Sequence, residues 1–368
     1  MMKTALALIS LSLVLAVSAL KADPFYVNPV KGNDAATGTK DTPFKTLARA
    51  VREIDGVGGE IHLQPDDGFY TESLNVAKGG QPDKPLIIDG HGAVINLGID
   101  VTKGPWTDTG AGYRLERPVT VQTRINLVTV GWVNGLPVFS DDPTGHRPQA
   151  WHGGSAHFDA QGHLILVFPR GLTPANSVVV LNGGSNGFMS CAVSAPGGAY
   201  IQIRNLTAAF SANDGFNFHG KGHDVLLDNV KGLFSGDQGT SAHEAYQVNV
   251  QNSEFAFNGS GDAAIEDVKD AVTTYKNVRA HQNRNMAFLF MQGHHVLDQV
   301  VSFENGTSNL PKASEFVEIK DCQDLGQIGE DKQIPVVADP NAPVDPKKPV
   351  DETDRLGRFL QLRPAPTP

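Results

Sequence analysis

Three segments of the chain carry ionisable residues at matched spacing. The first is Asn213-Asp214-Gly215-Phe216-Asn217-Phe218-His219-Gly220-Lys221. The second is Gly236-Asp237-Gln238-Gly239-Thr240-Ser241-Ala242-His243-Glu244, and the third is Gly261-Asp262-Ala263-Ala264-Ile265-Glu266-Asp267-Val268-Lys269. Counting 14 residues on from Asn205, Asn229 and Asn252 reaches His219, His243 and Glu266, with Asp267 next if the third segment holds one extra residue. The same count from Asn277 reaches Met291, where the polar column ends. His219 or His243 would serve as a base near neutral pH, tuned by Glu244 or Asp267. Lys221, Lys269 and Arg284 are the cations that would meet a substrate carboxylate. Asp214, Asp237, Asp262, Glu244, Glu266 and Asp267 offer pairs for general acid and base work. Two histidines and an acid also suit a transition metal, and acid-rich turns suit Ca²⁺, although no usual zinc signature is present. A solvated sheet face would also be polar, but it gives no reason for two histidines and an acid in register over three consecutive segments.

The elements that would hold this column follow from a repeat. Tyr200–Asn205, Val225–Asn229, Tyr246–Asn252 and Val272–Asn277 are short β-rich runs that end in asparagine, and Val296–Val300 is a further run of the kind. Their asparagines are 24, 23 and 25 residues apart. A coil of that length accommodates about three short strands and their turns, at about 3.3 Å per strand residue. The spacing therefore predicts a solenoid, with Asn205, Asn229, Asn252 and Asn277 as an amide ladder inside one turn. Leucine-rich repeats share the period, but their leucine pattern is missing.

The rest of the chain is organised around this repeat. Residues 1–22, with Lys3, an apolar run and Val17-Ser18-Ala19, read as a secretory signal, so a secreted or periplasmic location is expected with no membrane span after cleavage. Residues 23–95 hold a capping helix and the first coils: Thr42-Pro43 suits a helix start, and Leu47, Ala50, Val51 and Ile54 share one helical face. Residues 96–185 break the period, contain Trp106, Trp132 and Trp151, and read as an inserted β-rich subdomain. Residues 186–330 hold the main coils. The tail, 331–368, is proline-rich and reads as mostly disordered, with Arg355–Leu360 as a segment that would dock. Cys191 and Cys322 fall more than five coils apart, about 24 Å, so two unpaired and largely buried thiols are expected. His294-His295 reads as a surface pair at a turn.

Composition narrows the function. Forty acids against 30 bases give a net charge of −10, which argues against nucleic acid as a partner. Thirty-nine glycines and 23 prolines among 368 residues fit a turn-rich β architecture. No phosphate loop or dinucleotide fingerprint is present.

The repeat, together with Tyr26-Val27-Asn28-Pro29, Gly32-Asn33-Asp34, Gly38-Thr39 and Pro43-Phe44-Lys45-Thr46-Leu47 near the N-terminus, resembles the secreted right-handed parallel β-helix proteins of the pectate-lyase-like superfold. The resemblance covers most of the chain at superfamily level. It implies an all-β solenoid acting on an extracellular polysaccharide, as a monomer, without a certain cofactor and with Ca²⁺ as the candidate. The favoured reading is a polysaccharide lyase that cleaves a uronic-acid glycan by β-elimination. Its catalytic set would be His219, His243, Glu244, Glu266, Asp267 and Lys221. Its substrate contacts would be Asp214, Asp237, Asp262, Lys269, Arg284 and Trp151. The base in β-helix lyases is often Lys or Arg, so a histidine base departs from that pattern. The alternatives are a glycoside hydrolase using paired carboxylates, and a non-catalytic glycan-binding or cell-surface protein whose platform would be the three tryptophans.

Overall fold

The computed structural model describes residues 23–65, 68–119, 129–140, 153–191, 198–326 and 352–364. The expected leader, Trp151 and the tail between 327 and 351 lie outside these residues.

Alternation builds each strand. Ile201 and Ile203 are buried while Gln202 and Arg204 are half covered, and Val225 to Asp228 repeat the pattern. Aliphatic residues at every second position give a pleated segment one dry face. Strands of successive coils then pair in parallel, with Ile203 beside Ile88 and Leu227, and Leu227 beside Val250. The outcome is a parallel β-solenoid of three sheets around one apolar interior. The first sheet has nine strands, from Phe25–Val27 to Val317–Lys320. The second has seven, among them Thr207–Ala209, Lys231–Leu233 and Glu254–Ala256. The third has six: Leu74–Val76, Phe188–Cys191, Phe216–His219, Thr240–Ala242, Ala263–Asp267 and Met286–Phe290. Among the described residues no helix is long and apolar enough to cross a membrane.

The four repeat asparagines sit at the turn from first to second sheet, all with φ near +52 to +53°. Asparagine tolerates this left-handed region better than most residues. Asn229 donates to Asn205 and Asn277 to Asn252, each at 2.8 Å, while Asn252 donates to Asp228 instead. The ladder lines the outer rim of the turn rather than its inside, because the left-handed residue points its side chain outward. A second ladder is interior. Asn258, Asn283, Asn305 and Asn309 pass amide hydrogen bonds along at 3.1, 2.9 and 2.8 Å, fully buried at the turn from second to third sheet.

The N-terminal end is covered by the helix Leu47–Ile54, which buries Leu47, Ala50, Val51 and Ile54. Its cap is Thr46, which accepts from the Arg49 amide, and not Thr42. Phe44 exchanges backbone bonds with Tyr26 and Asn28, so residues just before the helix are held as an extended pairing. Between Asn96 and Phe188 the chain leaves the coil and forms an eight-stranded sheet, mostly antiparallel. Trp132 of that sheet packs edge-on against Phe234, with ring centroids 5.2 Å apart. Phe210, Phe234 and Phe257 stack on one another outside the second sheet, at 5.1 and 4.8 Å. The helix Glu352–Leu362 closes over this stack with Phe359, 5.8 Å from both Phe210 and Phe234. Its Arg355 is buried, donates to Gly135 and Gln282 carbonyls and lies 4.8 Å from the Phe257 ring centroid. Cys322 is a free thiol and half-buried rather than largely buried, since it falls in the last coil, which has only one neighbour. The side chain of Cys191 lies outside the described residues.

Candidate active site

The site residues come from the third sheet and the turn that leads into it. Register places Met189, Asn217, Ser241, Glu266 and Leu289 in one column. His219 and His243 form the next column two residues on, because the His243 amide pairs with the Phe218 carbonyl. Both columns face outward, opposite the buried Phe216, Phe218 and Ile265. The turn before the third coil's strand is two residues longer than in the preceding coil: Leu233 pairs Ala256, but Thr240 pairs Ile265. That shift moves the acids relative to the expected column. Glu266 lies beside Ser241 rather than His243, and Asp267 points into the solenoid.

Two groups of side chains result. In the first, the His219 and His243 rings stack with centroids 4.0 Å apart and 14° between planes. Glu244 reaches His219 Nδ1 at 3.3 Å, accepts from the Gly220 amide at 3.0 Å and pairs with Lys269. Burial would raise the Glu244 carboxyl, but Lys269, the Gly220 amide and His219 hold it down at about 2.

In the second group, Asp214 is buried at the turn. Its Oδ2 accepts from Ser241 Oγ at 2.6 Å and from Asn217, and its Oδ1 accepts from the Gln238 amide at 3.3 Å. Ser241 Oγ also lies 3.2 Å from His243 Nε2. Burial, reinforced by the charge of Asp237, pushes Asp214 up to about 8. Glu266 accepts from Gln238 Nε2 at 2.9 Å. Burial and the charges of Asp262 and Asp237 push it up to about 7. Asp237 is thus the acid whose charge both neighbours feel. Such an arrangement keeps one carboxyl protonated beside another carboxylate near neutral pH.

The remaining expected residues fall elsewhere. Asp267 is fully buried and accepts from Thr273 Oγ1, Tyr275 OH and the Ala242 amide at 2.7, 2.8 and 3.0 Å. It belongs to the interior, because strand alternation turns it away from Glu266. His295, expected at the surface, is buried beside it with Nδ1 2.8 Å from Thr273 Oγ1, whereas His294 is exposed. Arg284 is buried 4.2 Å from the Phe139 ring centroid and donates to the Gly259 carbonyl at 3.1 Å. It fastens the inserted sheet to the acidic turn rather than facing outward. Thr129 of that sheet also bonds the Gly236 and Gly259 carbonyls, which places the insert beside Asp237 and Asp262. Lys221 is exposed in the turn after His219. Trp106 is half-buried and Trp132 fully buried, so Trp132 offers no face to a ligand. Ser241, Gln238 and Asn217 were not singled out in the sequence. Period-two spacing from His243 and His219 would have found Ser241 and Asn217. Among the described residues no three His, Cys, Asp or Glu side chains are grouped to hold a metal ion.

The shifted carboxyls predict how stability varies with pH. Asp267 is pushed up to about 6 by burial, against its hydrogen bonds from Thr273, Tyr275 and Ala242. A carboxyl raised on folding stabilises fully below its unfolded value, and that contribution is lost as pH rises through the folded value. Asp267, Glu266 and Asp214 therefore weaken the fold in sequence between about pH 4 and 8. Glu244 and Glu254, both lowered on folding, weaken it as pH falls below about 4.5. Thermal unfolding across buffers should show greatest stability at about pH 4–4.5, and Asp267→Asn should flatten the alkaline decline by about 1–3 kcal/mol. A midpoint that climbs steadily to pH 8 would contradict this assignment.

No protein-family model matches the sequence, and comparison with curated proteins finds no match. Solved structures do resemble it. XylC in complex with xylose is 13% identical, aligned over 82% of this chain and 68% of the other, with a TM-score of 0.47. A glycoside hydrolase is 11% identical over 83% and 96%, with a TM-score of 0.45. A rhamnogalacturonan lyase is 13% identical over 83% and 62%, with a TM-score of 0.33. At these levels the likenesses carry no argument about the reaction.

Proposed function

We propose that this chain is a carbohydrate-active enzyme that hydrolyses an extracellular polysaccharide. The observation that carries the reading is the acid group around Asp237, with Glu266 on the outward face beside Ser241, held by Gln238 and pushed up to about 7. Glycoside hydrolysis needs a carboxylic acid to protonate the leaving oxygen and a second carboxylate to act as base or nucleophile. Glu266 takes the first role and Asp237 the second. Asp214 and Gln238 are positioning residues, through their bonds to Ser241 and Glu266. The inserted sheet stands beside the acidic turns as one wall for a glycan chain.

A second reading, β-elimination on a uronate polymer, draws support from the stacked His219 and His243. It needs a cation at the substrate carboxylate. Of the three cations expected for that role, Lys269 pairs with Glu244 and Arg284 is covered by Phe139, which leaves the exposed Lys221 in the turn after His219. This favours hydrolysis. Export by the expected leader fits either reading.

Purified protein should be incubated with pectate, alginate and neutral glycans, with and without a chelator. New reducing ends and ultraviolet absorbance would be followed together. Reducing ends without absorbance are expected. Rising absorbance means an unsaturated product and would transfer the catalytic role to His219 and His243. Loss of activity with chelator would show that a metal ion takes part.

A further inference from the structure

A cavity of about 580 Å³ opens outside the first sheet at its N-terminal end, away from the acids of the third sheet. Tyr26 and His62 are register partners there. Their rings stack with centroids 5.3 Å apart, and His91 continues the stack 5.0 Å from His62. His62 Nδ1 and His91 Nε2 lie 2.7 Å apart and so share a hydrogen bond. The outer nitrogens of the pair face acids: Glu60 lies 3.4 Å from His62 Nε2 and Asp89 3.6 Å from His91 Nδ1. The two carboxylates themselves are not among the cavity walls. Burial would raise Asp89, but hydrogen bonds from Asn205 and the His91 amide, and the charges of both imidazoles, lower it.

Lys31 and Lys40 complete the polar wall, and Pro65 supplies an apolar one beside Tyr26. The wall is built rather than loose: Gln64 accepts from Asn28 Nδ2 at 2.8 Å and donates to the Lys40 carbonyl at 3.1 Å. A bare inorganic anion would use only the lysines and the imidazole pair. A neutral sugar would use only the ring edges and the apolar wall. We propose that the cavity is a second saccharide site, which takes a pyranose residue bearing a carboxylate or a sulfate. The ammonium groups meet the anionic substituent and the Tyr26 and Pro65 surface meets the carbon face of the ring. The site goes beyond the hydrolytic reading and does not depend on it.

Calorimetric titration of the full chain with trigalacturonate, with a sulfated carrageenan tetrasaccharide and with xylotriose tests this. At least one acidic probe should bind, and which one distinguishes carboxylate from sulfate. The double variant Lys31→Ala/Lys40→Ala should weaken that binding about tenfold or more. Both lysines are exposed, so the variant keeps its fold and its rate of glycan cleavage. Any xylotriose binding should be unchanged. Acidic probes that bind wild type and variant equally, or fail to bind up to about 5 mM, would overturn the proposal.

Discussion

Glu266→Gln should lower kcat on the cleaved glycan by about 10²–10⁴ while leaving KM within a few-fold. The amide keeps the size of the side chain and its place beside Ser241 but has no proton to give. The wild-type rate should fall as pH rises past about 7, because Glu266 ionises there under the combined effect of burial, Asp262 and Asp237. That alkaline limb should vanish in Glu266→Gln. Asp237→Asn should lose a comparable factor and, in addition, move the limb of its residual activity to lower pH. Removing the Asp237 charge relieves one of the causes that keep Glu266 protonated. A pH–rate profile of the three proteins reads both effects. An Asp237→Asn limb at unchanged pH would show that the two carboxyls do not interact.

Phe234→Ala should cost about 3–5 kcal/mol in denaturant unfolding, the largest stability loss expected from one substitution here. Phe234 is fully buried although it lies outside the solenoid wall. Its ring touches Phe210 and Phe257 above and below, Trp132 of the insert and Phe359 of the C-terminal helix. Truncation opens a cavity where three parts of the chain meet, so limited proteolysis should release the helix sooner than in wild type. A loss under about 1 kcal/mol would mean that the insert and the helix rest on the solenoid without contributing to it.

The solenoid was legible because its signal is local. Apolar alternation and an asparagine once per coil survive in the linear sequence, and they set the parallel register directly. The column of site residues was only half legible. Counting from the asparagines assumes equal turns, and the turn between Ala256 and Ala263 is two residues longer than its predecessor. The face survived that error, since a shift of two preserves which side a residue points to, and so Glu266 faces outward as expected. A shift of one reverses it, which is why Asp267 lies inside with Thr273 and Tyr275. Contacts made far apart in sequence left no trace. Trp132 donates to the Phe234 carbonyl across 102 positions and Arg355 reaches Gly135 across 220. The interior ladder of Asn258, Asn283 and Asn305 was hidden for another reason. These residues stand in turns, and only their burial shows that they line the interior.

Hydrolysis and elimination differ by one water molecule, which enters the product only in the first. Cleavage of a responsive glycan in heavy-oxygen water, followed by mass spectrometry of the fragments, tests the proposed reaction most directly. One labelled oxygen at each new reducing end is expected from the wild type, with labelled product falling to background in Glu266→Gln. Unlabelled, unsaturated fragments, or a Glu266→Gln variant that labels its product at the wild-type rate, would contradict the account.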